Sequence, residues 1–238
     1  MPNPISVPDR GPNLPRVRYR AVIFDLGGVV LPSPFDAFRE YERRNGLPHR
    51  LISTVIVESG EQGAWSRHER GELDADAFAT AFAAECAAAG GTVVVADLFA
   101  GMRGGGPGDA SGPHPGMVAA IRAIRSAGLR TAALTNNWAD ADGATHVSGE
   151  SPLALELAGL FDTIVESARE GLRKPDPRIY ELTCTRIGVT PGEAVFLDDL
   201  GTNLKPARAL GMRTIKVADP SAAVTELAGV LGLDLGHI

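Results

Sequence analysis

Long apolar runs are missing from this chain. None reaches the roughly 18 residues that a membrane-spanning helix needs, and no basic segment followed by a short apolar core opens it. Cysteine is scarce as well: Cys86 and Cys184 are the only 2 in 238 residues and share no motif spacing. That excludes a disulfide framework and predicts two reduced, partly buried thiols. Basic charge is also short, with 23 Lys and Arg against 29 Asp and Glu, a net charge of −6 and a pI near 5.4. Nucleic acid binding calls for the opposite balance and is not expected. The histidines, His49, His68, His114, His146 and His237, fall at no metal-ligand spacing, which argues against zinc. What is present is 44% hydrophobic and 22% charged residues, enough for one sizeable core and a small accessory domain. A cytoplasmic protein with no membrane partner is expected.

The first 18 residues hold Pro2, Pro4, Pro8, Gly11, Pro12 and Pro15 and few large apolar side chains, the composition of an irregular or disordered tail. Val22, Ile23 and Phe24 follow in a short β-branched and aromatic run without polar alternation, which predicts a buried strand over about 19–25. Asp25 stands at its carboxyl end, and Gly27 and Gly28 behind it let the backbone turn sharply or approach a ligand. Ser33 and Pro34 offer a helix start, with the serine capping.

Helical spacing then runs from Phe35 to Met102. It is clearest over 74–88, where Phe78 and Phe82 stand four apart and Asp74 can cap. This predicts a helical insertion over 33–103. A Gly/Pro-rich connection over 104–114 leads back to the rest of the core, which comprises residues 19–32 and 115–238. Beyond it helix and strand alternate, the signature of a parallel sheet covered by helices. Helices are expected over 117–126, 177–187, 204–210 and 221–231, and strands over 129–134, 161–166, 194–197 and 214–217.

In a parallel sheet the carboxyl ends of the strands share one edge. Asp25 follows the first strand, Thr135 and Asn136 the second, Lys174 the third, and Asp198 with Asp199 the fourth. Three close carboxylates repel one another unless a hard, oxygen-preferring cation sits among them, which points to Mg2+. The lysine and the hydroxyl are what a bound phosphoryl group needs.

The segments FDLGG, LTNN, GLRKPDP and FLDDLGTNLKPARALGM, in that order, resemble the four motifs of the haloacid dehalogenase (HAD) superfamily with a helical cap after the first. The last is similar to the N-terminal phosphatase domain of soluble epoxide hydrolases. HERGELDADAFATAF, at 68–82, and the glycine at position 27 are similar to bacterial HAD phosphatases acting on glucose 1-phosphate. The resemblance implies a doubly wound α/β fold, a HAD-like Rossmannoid core with a small all-helical cap.

It also implies magnesium-dependent hydrolysis of a small phosphorylated metabolite. Asp25 would be the nucleophile that forms an aspartyl-phosphate. Asp25, the Gly27 carbonyl and Asp199 would hold the metal, with Asp198 orienting waters or Lys174. Thr135, Asn136 and Lys174 would bind the transferring phosphoryl group, with Gly28 allowing close approach, and Asn203 would steady the fourth loop.

One position departs from the pattern: most phosphatases of the superfamily carry a second Asp where this chain has Gly27. The metal ligand there survives as a backbone carbonyl, but the general acid does not. Leaving groups that depart readily, such as anomeric, acyl or aryl phosphates, are therefore expected. A metal-free 2-haloacid dehalogenase and a catalytically degenerate binding protein stand as alternatives. Without a G-x-S-x-G elbow, epoxide hydrolysis is not expected. Trp65, Arg67, His68 and Glu69 either face substrate or pack within the cap.

Overall fold

The computed structural model of the chain describes residues 19–103, 112–139, 143–145, 147 and 151–236. The expected tail over 1–18 lies outside the described residues. So do residues 104–111 of the Gly/Pro-rich connection, parts of the loop between Ala139 and Pro152, and His146 and His237.

The first strand, β1 (Ala21–Phe24), is fully buried. Five helices follow it: α1 (Pro34–Arg44), α2 (Leu51–Ser59), α3 (Ala64–Glu69), α4 (Ala75–Ala88) and α5 (Val95–Arg103). Pro34 opens α1 as its spacing predicts, but the Ser33 side chain makes no capping hydrogen bond. Asp74 does cap α4, accepting from the Ala77 N–H at 2.8 Å. The apolar faces of these helices meet in a core of their own built on Phe38, Ile52, Trp65, Phe78, Phe82 and Leu98. Trp65, His68 and Glu69 are buried in it, so packing is what the structure gives these three. The His68 ring stacks on Phe78 at 4.2 Å.

The chain returns through α6 (Pro115–Ser126), β2 (Arg130–Thr135), α7 (Pro152–Leu160), β3 (Thr163–Glu166), α8 (Ser167–Glu170), α9 (Pro177–Ile187), β4 (Ala194–Asp198), α10 (Gly201–Ala209), β5 (Arg213–Lys216) and α11 (Pro220–Leu231). Two helices are additions to the pattern read from the sequence. In α7 a Ser151 cap, accepting from Ala154 N–H at 3.1 Å, and Pro152 at the first position were usable signals. The helix α8 is a single turn, too short for any periodicity to mark. The helix α10 begins at Gly201 rather than Leu204. Its glycine-led first turn closes on the Leu200 carbonyl, which accepts from Asn203 N–H at 3.0 Å.

The strands pair in the order β3-β2-β1-β4-β5, all parallel. Both sheet faces are covered, which is why β1 needs no polar alternation. Val22 and Phe24 face Met117, Ile121, Leu157 and Leu227 of α6, α7 and α11. Ala21 and Ile23 face Ile179, Tyr180, Leu204 and Ala207 of α9 and α10. Both cysteines are free and fully rather than partly buried, and burial pushes each thiol up to about 12. No helix is long and apolar enough to cross a membrane among the described residues.

Candidate active site

The strand order reverses between β1 and β4, because β2 and β3 extend the sheet on one side of β1 and β4 and β5 on the other. A crevice opens at such a switch point, outside the carboxyl ends of the two strands. Asp25 leaves β1 there and Asp198 ends β4, held together by the bond from Asp25 N–H to the Leu197 carbonyl at 2.9 Å. Carboxylate oxygens of Asp25, Asp198 and Asp199 all lie within 4.8 Å of one another.

Lys174, only 1% exposed, sits between two of these acids. Its Nζ lies 2.7 Å from Asp25 Oδ1 and 2.8 Å from Asp198 Oδ2. The Leu26 N–H donates to the same Asp25 Oδ1 at 2.7 Å. One oxygen of Asp25 is thus fixed, and Oδ2 has no hydrogen-bond partner among the described residues. Asp198 is wholly committed: it accepts from Leu200 N–H at 2.8 Å, from Asn203 Nδ2 at 3.1 Å to each oxygen, and from Lys174. Asn203 is held in turn by Tyr180, whose hydroxyl donates to the Asn203 carbonyl at 2.8 Å.

The loop after β2 supplies Thr135, which is buried and whose hydroxyl, among the described residues, makes only a 3.5 Å contact with the Asn136 carbonyl. The Asn136 carboxamide faces the lysine loop. Its Nδ2 donates to the Lys174 carbonyl at 2.9 Å and its Oδ1 accepts from Lys174 N–H at 2.8 Å. That reciprocal pair sets where the lysine emerges, a role no spacing in the sequence announces. Gly28 has φ +75, and a Cβ there would lie 2.5 Å from Asp199 Oδ2. Only glycine lets the loop after β1 pass this close to the acid. The Gly27 carbonyl accepts no hydrogen bond among the described residues.

Charge at this edge is unbalanced. Burial pushes the Asp25 carboxyl up, Lys174 pulls it back, and Asp198 and Asp199 push it up again; the net direction is well above the ordinary carboxylate range. Burial would lower Lys174, but Asp198 and Asp25 more than offset that and hold its ammonium charged. Burial, and then Asp198, raises Asp199 to about 6. One ammonium among three carboxylates leaves two negative charges. A divalent cation with hard oxygen preference fits that deficit and that donor set.

A pH dependence follows from Asp199. A protonated carboxyl is a poor cation ligand, so a divalent cation held by these acids should bind more tightly as pH rises through about 6. The metal-free chain behaves in the opposite sense. A carboxyl raised by the fold contributes stability that is present below its unfolded pKa and is lost as pH rises through its folded one. Thermal melts with and without magnesium should therefore show a small increase in Tm at about pH 5 and a larger one at about pH 8. Equal increments at both would mean that Asp199 is no cation ligand.

The sequence profile of the haloacid dehalogenase-like hydrolases matches residues 19–211. Acyl-CoA dehydrogenase family member 10 of Mus musculus is 42% identical over 219 residues, covering 91% of this chain and 20% of that protein. Bifunctional epoxide hydrolase 2 of Sus scrofa is 35% identical over 221 residues, covering 91% and 39%. The chain thus spans well under half the length of these two relatives. A sesquiterpene phosphatase of Aspergillus oryzae is 26% identical over 214 residues, covering 90% of this chain and 97% of that one. Among solved structures, a HAD family enzyme from Bacteroides thetaiotaomicron in complex with magnesium and inorganic phosphate shares the fold. Its TM-score is 0.55 at 16% identity, covering 83% of this chain and 93% of that one. A profile that spans the chain from the first strand to the turn before β5 takes in every residue placed at this crevice, and the chain belongs to the haloacid dehalogenase-like hydrolases.

Proposed function

We propose that the chain is a magnesium-dependent phosphatase that hydrolyses a small phosphorylated metabolite through an aspartyl-phosphate on Asp25. The observation that carries this reading is the deficit of two positive charges around a carboxylate with one fixed and one unbonded oxygen. The phosphatase among the relatives and the fold shared with a magnesium- and phosphate-bound enzyme support it. Asp25, Asp199 and the Gly27 carbonyl would hold magnesium, which would neutralise the anionic site and the phosphoryl oxygens.

Lys174 and the Leu26 N–H orient Asp25 so that Oδ2 attacks phosphorus as the bond to the leaving oxygen breaks. The Thr135 hydroxyl and the Lys174 ammonium bind the phosphoryl oxygens as their charge grows. Asp198, Asn203 and Asn136 keep the lysine in place. The leaving oxygen takes its proton from solvent, since Gly27 brings no acid. Water then attacks phosphorus, the bond to Oδ2 breaks, and inorganic phosphate leaves with Asp25 restored. The inserted helices α1 to α5 form the cap over this edge.

Hydrolysis of p-nitrophenyl phosphate and of a metabolite panel, with and without magnesium, tests the proposal. Turnover of 2-chloropropionate without metal, in place of phosphate release, would overturn it. The absent acid is tested separately. A Cβ at Gly27 would meet Pro34, at 3.2 Å from Cδ, so Pro34 must give by a few tenths of an ångström to admit a side chain. Gly27→Asp should raise kcat on alkyl phosphates by about 10²-fold, the lower end of general acid catalysis, and change p-nitrophenyl phosphate far less. Equal effects on both substrates would show that proton donation does not limit the reaction.

A further inference from the structure

The loops that carry Thr135 and Lys174 are both fastened to one short helix of the insertion. From the lysine loop, Arg173 Nε donates to Glu69 Oε2 of α3 at 2.8 Å, and its Nη1 to Glu61 Oε1 at 2.7 Å. The Arg173 and Glu69 side chains are 14% and 9% exposed, so this pair is shielded in a way that Glu61, at 56%, is not. The other oxygen of Glu69 accepts the Trp65 indole N–H at 2.9 Å. From the threonine loop, Trp138 meets Trp65 edge-on at 5.7 Å between ring centres and stacks on Phe99 of α5 at 4.8 Å. The two loops are joined to each other through the Asn136 carboxamide and the Lys174 main chain.

These contacts close a circuit from Lys174 through Arg173, Glu69, Trp65, Trp138 and Asn136 back to Lys174. A displacement of α3 therefore moves both loops. An exposed ion pair would be too weak to matter. This one is shielded and charge-assisted, and a guanidinium holds its donors in a rigid planar fork that fixes the direction of each bond, as a freely rotating ammonium does not.

We infer that α3 is a strap holding Lys174 in register with Asp25, with Arg173 as the positioning residue that fastens it through Glu69. The inference rests on the phosphatase reading above and adds residues that touch no substrate. Its test compares wild type, Arg173→Gln, Glu69→Gln and the double variant on p-nitrophenyl phosphate with magnesium. Each single change should lower kcat about 10-fold with little change in KM, since a misplacement of about 1 Å can cost up to about 10²-fold. The double variant should be no slower than either single one, and Arg173→Lys should recover only part of the loss. A merely structural role would instead lower Tm and the active fraction together.

The 2 tryptophans of the chain both lie in the circuit, so their emission reads it without turnover. Adding inorganic phosphate with magnesium should change the emission of the wild type and not that of Arg173→Gln. If the wild type hydrolyses nothing, the phosphatase reading fails and the emission experiment alone decides the strap. Wild-type kcat in both single variants, or the same emission response in wild type and Arg173→Gln, would overturn the strap.

Discussion

Asp25→Asn should abolish magnesium-dependent hydrolysis, a fall of about 10⁴-fold or more, as when a nucleophile is removed elsewhere. The substitution preserves shape: an amide oxygen in the place of Oδ1 can still accept from Leu26 N–H and Lys174. The amide nitrogen takes the place of Oδ2, the proposed attacking oxygen, and it neither bonds to phosphorus nor binds a hard cation. Stability should not follow activity down. Burial and two neighbouring carboxylates oppose the ionised form of Asp25 in the fold, so removing that charge should leave the metal-free Tm unchanged or raise it. Turnover and thermal melts on one preparation check both statements. Activity within about 10-fold of wild type would deprive Asp25 of its role.

Lys174→Met should also end turnover, and here the fold should suffer with it. The ammonium is 1% exposed, 2.7 and 2.8 Å from two acids, and 5.8 Å from the centre of the Phe196 ring. Removing it leaves Asp25 and Asp198 buried without their cation, which costs about 3–5 kcal/mol when a buried pair is broken on one side. The sign with pH is fixed by the acids. Lys174 is what pulls the Asp25 carboxyl down, so without it that carboxyl rises further, and the penalty is greatest where Asp25 must ionise and fades as pH falls and it binds a proton. Urea unfolding at neutral and acid pH should show a deficit that narrows on acidification. A pH-independent deficit would assign it to lost packing, and none at neutral pH would mean that the acids are not the lysine's counter-charges.

The legible parts of the chain were those where one residue type has a strong local meaning. The helix expected over 177–187 has those bounds, with Pro177 in its first turn and Gly188 closing it. Asp74 reads as a cap and is one. Where the local signal was thin, elements shifted or went unseen. The glycine that opens α10 weakens the signal for its first turn, and α8 is a single turn without room for a period. Asp25, Asp198, Asp199, Thr135 and Lys174 could be gathered in advance because a parallel sheet places all strand ends on one edge. The second task of Asn136 could not, because its partner is a main chain 38 residues away.

The sequence by itself determined the parallel sheet covered by helices and its acidic edge, since these follow from short-range patterns and from the directionality of parallel strands, while the doubly wound order came with the resemblance of its four motifs. Only the tertiary structure decided how each acid is bonded. Asp198 spends its oxygens on Lys174, Asn203 and Leu200, whereas Asp25 keeps one oxygen unbonded. It also decided that Gly28 is required by the Asp199 carboxylate, and that Arg173 and Trp138 reach the same helix from different loops. The physical reason is common to all three. Hydrogen-bond saturation, steric clearance and ion pairing depend on distances between residues far apart in the chain, and no local pattern encodes them.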